Sequence, residues 1–247
     1  MTVDEEIEQT EALIAKTRQI KAGLTHDLFT RGVTPDGQLR PPRSEAPQLY
    51  KESPLGWIPK EWDHATLNEL VSSSRPIVYG ILMPGQGFPG GIPVVKVKDI
   101  IDGGISSEDL LLTSPAIDAE YQRAKLKPGD ILLTIRGTVG RLALVPDHLD
   151  NANITQDTAR VGVVQGNPRF YRHYLETSVP RRHFAVNTLG VAVQGINLRD
   201  VRTTPVPLFD EDEQRAIVGV VDEIERSKRT LVEDLIKLGR IKAGLMG

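Results

Sequence analysis

Cysteine is absent from the 247 residues, which excludes disulfides and thiolate metal sites. The five histidines (His26, His64, His148, His173, His183) are scattered, with no pair four residues apart, so the spacing of a structural zinc site is also missing. No metal is expected. There is no stretch of about 18 apolar residues, the least that spans a bilayer. The first residues, MTVDEEIEQTEAL, are acidic and amphipathic, unlike a signal peptide. A soluble, cytoplasmic chain without a membrane partner is the expectation. No Ser/His/Asp order, carboxylate cluster or Walker loop stands out, so the sequence points to a non-catalytic protein that binds no cofactor of its own.

An excess of positive charge is lacking too: the formal net charge is −3. That sum hides an asymmetry. From Tyr121 to Pro205 there are 12 Lys/Arg against 6 Asp/Glu, and from Trp57 to Glu120 there are 4 against 9. A phosphate-facing surface needs clustered positive charge whatever the total, and the later segment has it.

Both ends of the chain carry a seven-residue period. With Ile7, Ile14, Lys21 and Leu28 at heptad position a, Val3, Thr10, Thr17 and Leu24 fall at d. Beyond Asp210, Ile217, Ile224, Leu231, Leu238 and Leu245 recur by sevens, with Val221, Lys228, Leu235 and Lys242 in the companion seam. Such spacing predicts helices packed along their length against another helix. Asp210 is a candidate N-cap, followed by Glu211, Asp212 and Glu213 in the first turn, where acidic groups suit the helix dipole. Ile20–Leu24 (IKAGL) recurs as Ile241–Leu245 at an offset of 221 residues with the heptads in phase. The two segments read as copies of one element flanking a different domain. The pairing residues are expected to be Ile7, Ile14, Leu24, Ile217, Val221, Ile224, Leu231, Leu235 and Leu238.

Between them, a Pro-, Gly- and charge-rich stretch reads as a linker running over the surface. Past Trp62, short apolar runs bounded by turn residues predict strands at Ile77–Met83, Ile92–Val97, Leu110–Thr113, Ile131–Ile135, Leu142–Val145, Ala159–Val164 and Val191–Val193. Tyr171–Thr177 and Val179–Val186 read as short helices. The expected organisation is a helix over 1–32, a linker over 33–56, a domain over 57–209 and a second helix over 210–247. The fold class is α+β: a strand-rich domain flanked by two long helices that form an antiparallel coiled coil.

Two motifs tempt and fail. Gly85–Gly90 spells G-x-G-x-x-G, but prolines and a strand-like VVKV follow where a dinucleotide site needs a helix. Asn167-Pro168-Arg169-Phe170 approaches the Asn-Pro-Pro-Phe/Tyr signature of adenine methyltransferases, yet arginine replaces the second proline and no glycine-rich methyl-donor site accompanies it. Other segments suit DNA. Arg136-Gly137-Thr138-Val139-Gly140-Arg141 reads as a hairpin turn whose arginines and backbone N–H groups can meet phosphates. Asn153–Asp157, with Gln156, and Gln194–Asn197 set amides beside turns, and such amides can read adenine in the major groove. Arg181-Arg182-His183 is a compact basic cluster, read equally well as a solvated surface run. The candidate DNA-binding residues are Lys96, Lys98, Arg136, Thr138, Arg141, Gln156, Arg181, Arg182, Gln194 and Asn197.

Taken in order, Leu55–Trp62 (LGWIPKEW) with Leu67–Leu70, Lys127–Leu132 running into Arg136–Gly140, Asn153–Asp157, and Gly195–Asn197 leading to Pro205–Leu208 and Glu213–Ile217 resemble the specificity subunits of type I restriction–modification systems. The resemblance covers essentially the whole chain. It implies a target-recognition domain that reads half of a bipartite site in double-stranded DNA. Two antiparallel helical spacers would set the half-site distance and dock the methyltransferase subunits. S-adenosylmethionine and ATP belong to the methyltransferase and restriction subunits, and this chain would need neither. The family usually carries two recognition domains and this chain has one, as in a half or truncated subunit. A second copy would then be required, and two-fold symmetry would demand a palindromic site. The helices could pair within one chain or in a homodimer. A fragment or mimic that binds and regulates the methyltransferase shares every motif and stays open as an alternative.

Overall fold

The computed structural model describes residues 3–101, 104–190 and 194–245. The expected strand at Val191–Val193 lies outside the described residues, as do Thr2 and the side chains of Val3, Lys21, Lys228, Lys242 and Leu245. In chain order the elements are helix α1 (Val3–Arg31), strands β1 (Tyr50–Ser53), β2 (Gly56–Pro59), β3 (Asp63–Thr66), β4 (Val78–Tyr79), β5 (Ile92–Val95), β6 (Ile100–Ile101), β7 (Gly104–Ile105) and β8 (Leu111–Thr113), helix α2 (Pro115–Glu120), strands β9 (Ile131–Thr134), β10 (Leu142–Leu144), β11 (Asn153–Ile154) and β12 (Thr158–Val161), helices α3 (Pro168–Tyr174), α4 (Ser178–Asn187) and α5 (Leu198–Arg202), strand β13 (Pro205–Leu208) and helix α6 (Glu211–Leu245). The class is α+β, with a strand-rich region set between two long helices. The chain divides into two compact units, one of residues 1–49 with 215–247 and one of residues 50–214.

In the first unit, α1 and nearly all of α6 come together. The less exposed residues of both follow the heptads. Ile14, Leu28, Ile217 and Val221 are buried, while Ile7, Leu24, Ile224, Leu231, Leu235 and Leu238 are half-buried among exposed neighbours. Thr10 and Thr17, at d positions, donate their hydroxyls to Glu6 O (2.7 Å) and Leu13 O (2.8 Å) one turn back. Neither therefore brings an unpaired donor to the seam. The first half of the expected linker is ordered against the end of α1. The Arg31 guanidinium donates to Arg40 O at 2.8 and 2.6 Å, and Arg40 Nη1 returns a bond to Arg31 O at 3.2 Å.

The second unit starts at Tyr50, seven residues before the expected boundary, because the rest of that linker is the hairpin β1–β2. A four-stranded sheet runs β10-β9-β12-β4 and a three-stranded one β11-β5-β8. Leu132, Ala143, Val145 and Leu126 pack with Val95, Ile100 and Ile154 in one core cluster. Several apolar runs are shorter as strands than as sequence. Only Val78–Tyr79 of Ile77–Met83 pairs in β4, and Ile92–Val97 leaves its strand at Val95, where the carboxylate of Asp99 accepts from Lys96 N (2.8 Å) and turns the chain.

Strands β3 and β13 pair antiparallel, Asp63 opposite Leu208 and Thr66 opposite Pro205, so the unit's entry and exit lie side by side. Trp62, fully buried, stacks on Phe209 (3.8 Å between centroids, 3° between planes), and Phe170 meets Phe209 edge-on at 5.1 Å. Trp62 Nε1 donates to Glu213 (3.2 Å), and the Gln214 side chain accepts from Asn167 N (2.8 Å) and donates to Phe209 O (3.0 Å). The residues that carry the resemblance at both ends of this unit thus form a neck. Asn167 is an N-cap, its Oδ1 accepting from Arg169 N (2.9 Å) at the start of α3, and Phe170 is core. The near-match to a methyltransferase signature is a helix start.

Candidate nucleic-acid interface

The hairpin between β9 and β10 carries Arg136 and Arg141. Its turn closes because Gly137 (φ 74°) and Gly140 (φ 93°) take left-handed conformations that side chains resist. The Thr134 hydroxyl donates to Thr138 O and accepts from Arg141 N at 2.9 Å, tying the turn to its own strand. A second loop, between β11 and β12, carries Gln156. Asp157 O accepts from Ile135 N (2.8 Å) and Arg136 N (3.3 Å), which docks this loop on the hairpin. A third loop carries Gln194 and Asn197. Gln194 O accepts from Gly137 N (2.9 Å), Ile196 N donates to Ile135 O (2.9 Å), and Gly195 bridges Arg136 and Leu189. Backbone bonds therefore fix three segments, distant in sequence, around one opening.

That opening is a cleft of about 640 Å³ lined by Tyr79, Leu82, Arg136, Gln156, Gln194 and Asn197 among others. Arg136 Nη1 approaches Gln156 Oε1 at 3.4 Å. A second concavity, of about 480 Å³, shares Gln194 and adds Arg141 and Arg181. A third, of about 430 Å³, shares Arg141 and Arg181 and includes Glu176. Six of the ten sequence-nominated residues (Arg136, Arg141, Gln156, Arg181, Gln194, Asn197) thus line three concavities that share lining residues. Cations and amides on a concave, preorganised surface suit a polyanion whose edges carry donors and acceptors.

The other four stand elsewhere. Lys96 lies at the Asp99 turn, Lys98 is exposed with its Nζ 4.0 Å from Asp99, Thr138 is exposed at the hairpin, and Arg182 is exposed on α4. Asn153, set with Gln156 in the sequence, is fully buried: its Nδ2 donates to Asp118 (3.1 Å) and its Oδ1 accepts from Ile154 N (2.9 Å). It braces the core. His183 leaves the basic cluster as well, its Nε2 bonding Asp200 O at 2.7 Å. The Gly85–Gly90 segment is a loop leading into β5, with no helix after it.

The same unit holds a charge cluster the sequence did not reveal. Arg160, on β12, is fully buried and donates to Pro76 O (2.9 Å) and Arg123 O (3.1 Å). Asp130, of the Lys127-Pro128-Gly129-Asp130 stretch, accepts from Arg75 (2.6 and 2.9 Å) and from Lys127 N (2.8 Å), with Arg160 Nη1 4.0 Å away. Burial, and then Arg75 nearby, pushes the Arg160 pKa below its ordinary value. Removing this carboxylate would leave the buried Arg160 and the half-buried Arg75 uncompensated, so Asp130 has a structural role.

No protein-family model matches the chain. It is 33% identical over 172 residues to the type I restriction enzyme EcoBI specificity subunit of Escherichia coli, covering 68% of this chain and 35% of that one. It is 20% identical over 219 residues to the putative type I restriction enzyme MjaX specificity subunit of Methanocaldococcus jannaschii, covering 80% and 47%. The chain thus spans between a third and a half of the length of these curated relatives. Among solved structures it is similar to the HsdS subunit from Thermoanaerobacter tengcongensis (TM-score 0.56, 20% identity, 99% of this chain and 57% of that one). A chain from a structure describing complex assembly and conformational transition of the type I R-M system gives a TM-score of 0.57 at 19% identity, over 97% of this chain and 55% of that one. These two show a shared fold. With that fold, and with a third of its aligned residues shared with the Escherichia coli protein, the chain belongs to the family of type I restriction enzyme specificity subunits.

Proposed function

We propose that this chain reads one half-site of double-stranded DNA within a type I restriction–modification complex and docks methyltransferase subunits through α1 and α6. The observation that carries the reading is the convergence of Arg136, Gln156, Gln194 and Asn197 on one cleft, with Arg141 and Arg181 lining a second concavity that shares Gln194. Amides such as Gln156 and Gln194 can read adenine in the major groove, the side-chain oxygen accepting from N6 and the amino group donating to N7. Arginines match guanine edges or phosphates. The chain itself performs no catalysis on this reading. S-adenosylmethionine would be bound by the methyltransferase and ATP by the restriction subunit, and neither by this chain. A second reader, either another copy or a different recognition domain, would supply the other half-site.

The test is co-expression with the cognate methyltransferase and mapping of N6-methyladenine by long-read sequencing. A bipartite motif is expected, palindromic if two copies act together and asymmetric if a different reader joins. A stable complex with the methyltransferase that methylates nothing would refute the reading and favour a regulator of the methyltransferase.

A further inference from the structure

The proposed reading of the cleft gives no role to two exposed apolar residues that line it, Tyr79 and Leu82, nor to Met83, which follows Leu82 in the chain. Tyr79, Leu82 and Met83 are 52%, 53% and 77% exposed. They flank a backbone that is held on both sides. Ile81, fully buried, donates from its N–H to Ile154 O (2.7 Å), and its carbonyl accepts from Gln156 N (2.9 Å). Gly80 N donates to Thr155 O (3.2 Å), and a Cβ at Gly80 would stand 1.9 Å from Ile154 O, so only glycine permits this approach. Leu82 and Met83 therefore emerge directly after a buried anchor, and the residue that holds the anchor, Gln156, lines the same cleft as Tyr79 and Leu82.

Tyr79 and Leu82 open onto one cleft rimmed by polar side chains, and an apolar patch with a polar rim marks a contact surface. Their setting selects the partner. The cleft that Leu82 lines also holds Arg136 and three amides, a cationic and polar surround suited to a polyanion. An apolar tip within such a surround has the properties of side chains that enter between base pairs, and a tip already ordered loses little entropy on insertion. We propose that Leu82 and Met83 form a wedge that partly unstacks one base step of the bound DNA, with Tyr79 beside it. The proposal rests on the DNA-reading role. It adds a source of specificity that needs no hydrogen bond: pyrimidine–purine steps, the easiest to unstack, are favoured at the wedge.

The experiment uses the full chain in complex with its methyltransferase, without S-adenosylmethionine, on duplexes carrying the mapped site. 2-Aminopurine or pyrrolocytosine replaces one base at a time outside the methylated adenines. Unstacking relieves quenching, so fluorescence should rise at one step on binding. In the Leu82→Ser/Met83→Ser variant that rise should vanish and affinity fall by about tenfold, the scale of one lost base contact. Met83→Leu should keep the rise. Tight wild-type binding with no rise at any position, or a rise that survives in the double variant, overturns the wedge alone. A double variant that binds DNA normally but loses the methyltransferase makes the patch a protein contact and overturns it too. Failure of the wild-type complex to bind any duplex overturns the DNA reading and the wedge with it.

Discussion

Arg141 and Arg181 line both of the smaller concavities, whereas Gln156 and Gln194 line the main cleft. Their roles separate by salt and by sequence. Replacing Arg141 or Arg181 by alanine should weaken binding evenly across sequences and lower the slope of log affinity against log salt by about 0.9 for each lost phosphate contact. Gln156→Ala or Gln194→Ala should leave that slope alone and cost about 1–3 kcal/mol at a single base pair. Fluorescence anisotropy over a salt series, on the mapped site and on single-mismatch duplexes, distinguishes them; an unchanged slope in both arginine variants would remove the phosphate assignment. Below the surface, Asp130→Ala leaves Arg160 and Arg75 without their carboxylate, and a loss of about 3–5 kcal/mol is expected in urea unfolding. Burial pushes the Tyr171 hydroxyl up to about 12, while it donates to Pro207 O at 3.0 Å. A raised pKa in the folded state contributes stability that is complete below the ordinary value of about 10 and is lost as pH climbs from there towards 12. Urea unfolding from pH 9 to 11.5 should show that decline, and Tyr171→Phe should make it shallower. Arginines and amides beside glycine turns could be nominated from the sequence because residue type and turn chemistry are local. Asn153 and Arg160 could not, since the depth of a polar side chain depends on what folds over it.

The β9–β10 hairpin and α6 were the most legible elements, and for the same reason: their signals are dense and near in sequence. The hairpin joins two apolar runs across a Gly-x-x-Gly turn, and α6 repeats every seven residues behind a capping aspartate. Asp210 Oδ1 accepts from Asp212 N (2.8 Å) and Glu213 N (3.3 Å), so Asp210→Ala should cost about 1 kcal/mol of helix stability, read as a shift in thermal unfolding and as faster amide exchange in the first turn. An unchanged exchange rate would mean that the first turn is held by other contacts. The hairpin β1–β2 was hidden because YKES and GWIP alternate weakly around Pro54, and its pairing is visible only as register, Tyr50 opposite Pro59. Strands β3 and β13 were hidden for a different reason. Each reads as loop alone, DHAT being polar and PVPL interrupted by proline, and they form because each supplies the other's partner from about 140 residues away, a separation no local pattern records.

At the scale of the molecule, the pairing of β3 with β13 has a consequence for what can be cut out. The unit over residues 50–214 has its own core cluster, falls within the usual size of an independent domain, and closes at its neck through Trp62, Phe209 and Gln214, all inside its bounds. The excised unit should therefore fold alone and unfold cooperatively, with the near-ultraviolet dichroism of an ordered Trp62. Within it, Trp62→Ala removes a fully buried indole and its stacking partner's contact, at a cost of about 3–5 kcal/mol, enough to unfold a domain of ordinary stability. On the proposed assignment, the wild-type excised unit keeps its preference for the mapped half-site at low salt but no longer retains the methyltransferase, whose docking is assigned to α1 and α6. Thermal melts and pull-down with the methyltransferase test both halves. A broad melt with no tertiary signal would mean that the helices complete the core of this unit. A folded unit that still holds the methyltransferase would move the docking surface off the helices and onto the domain that carries the cleft.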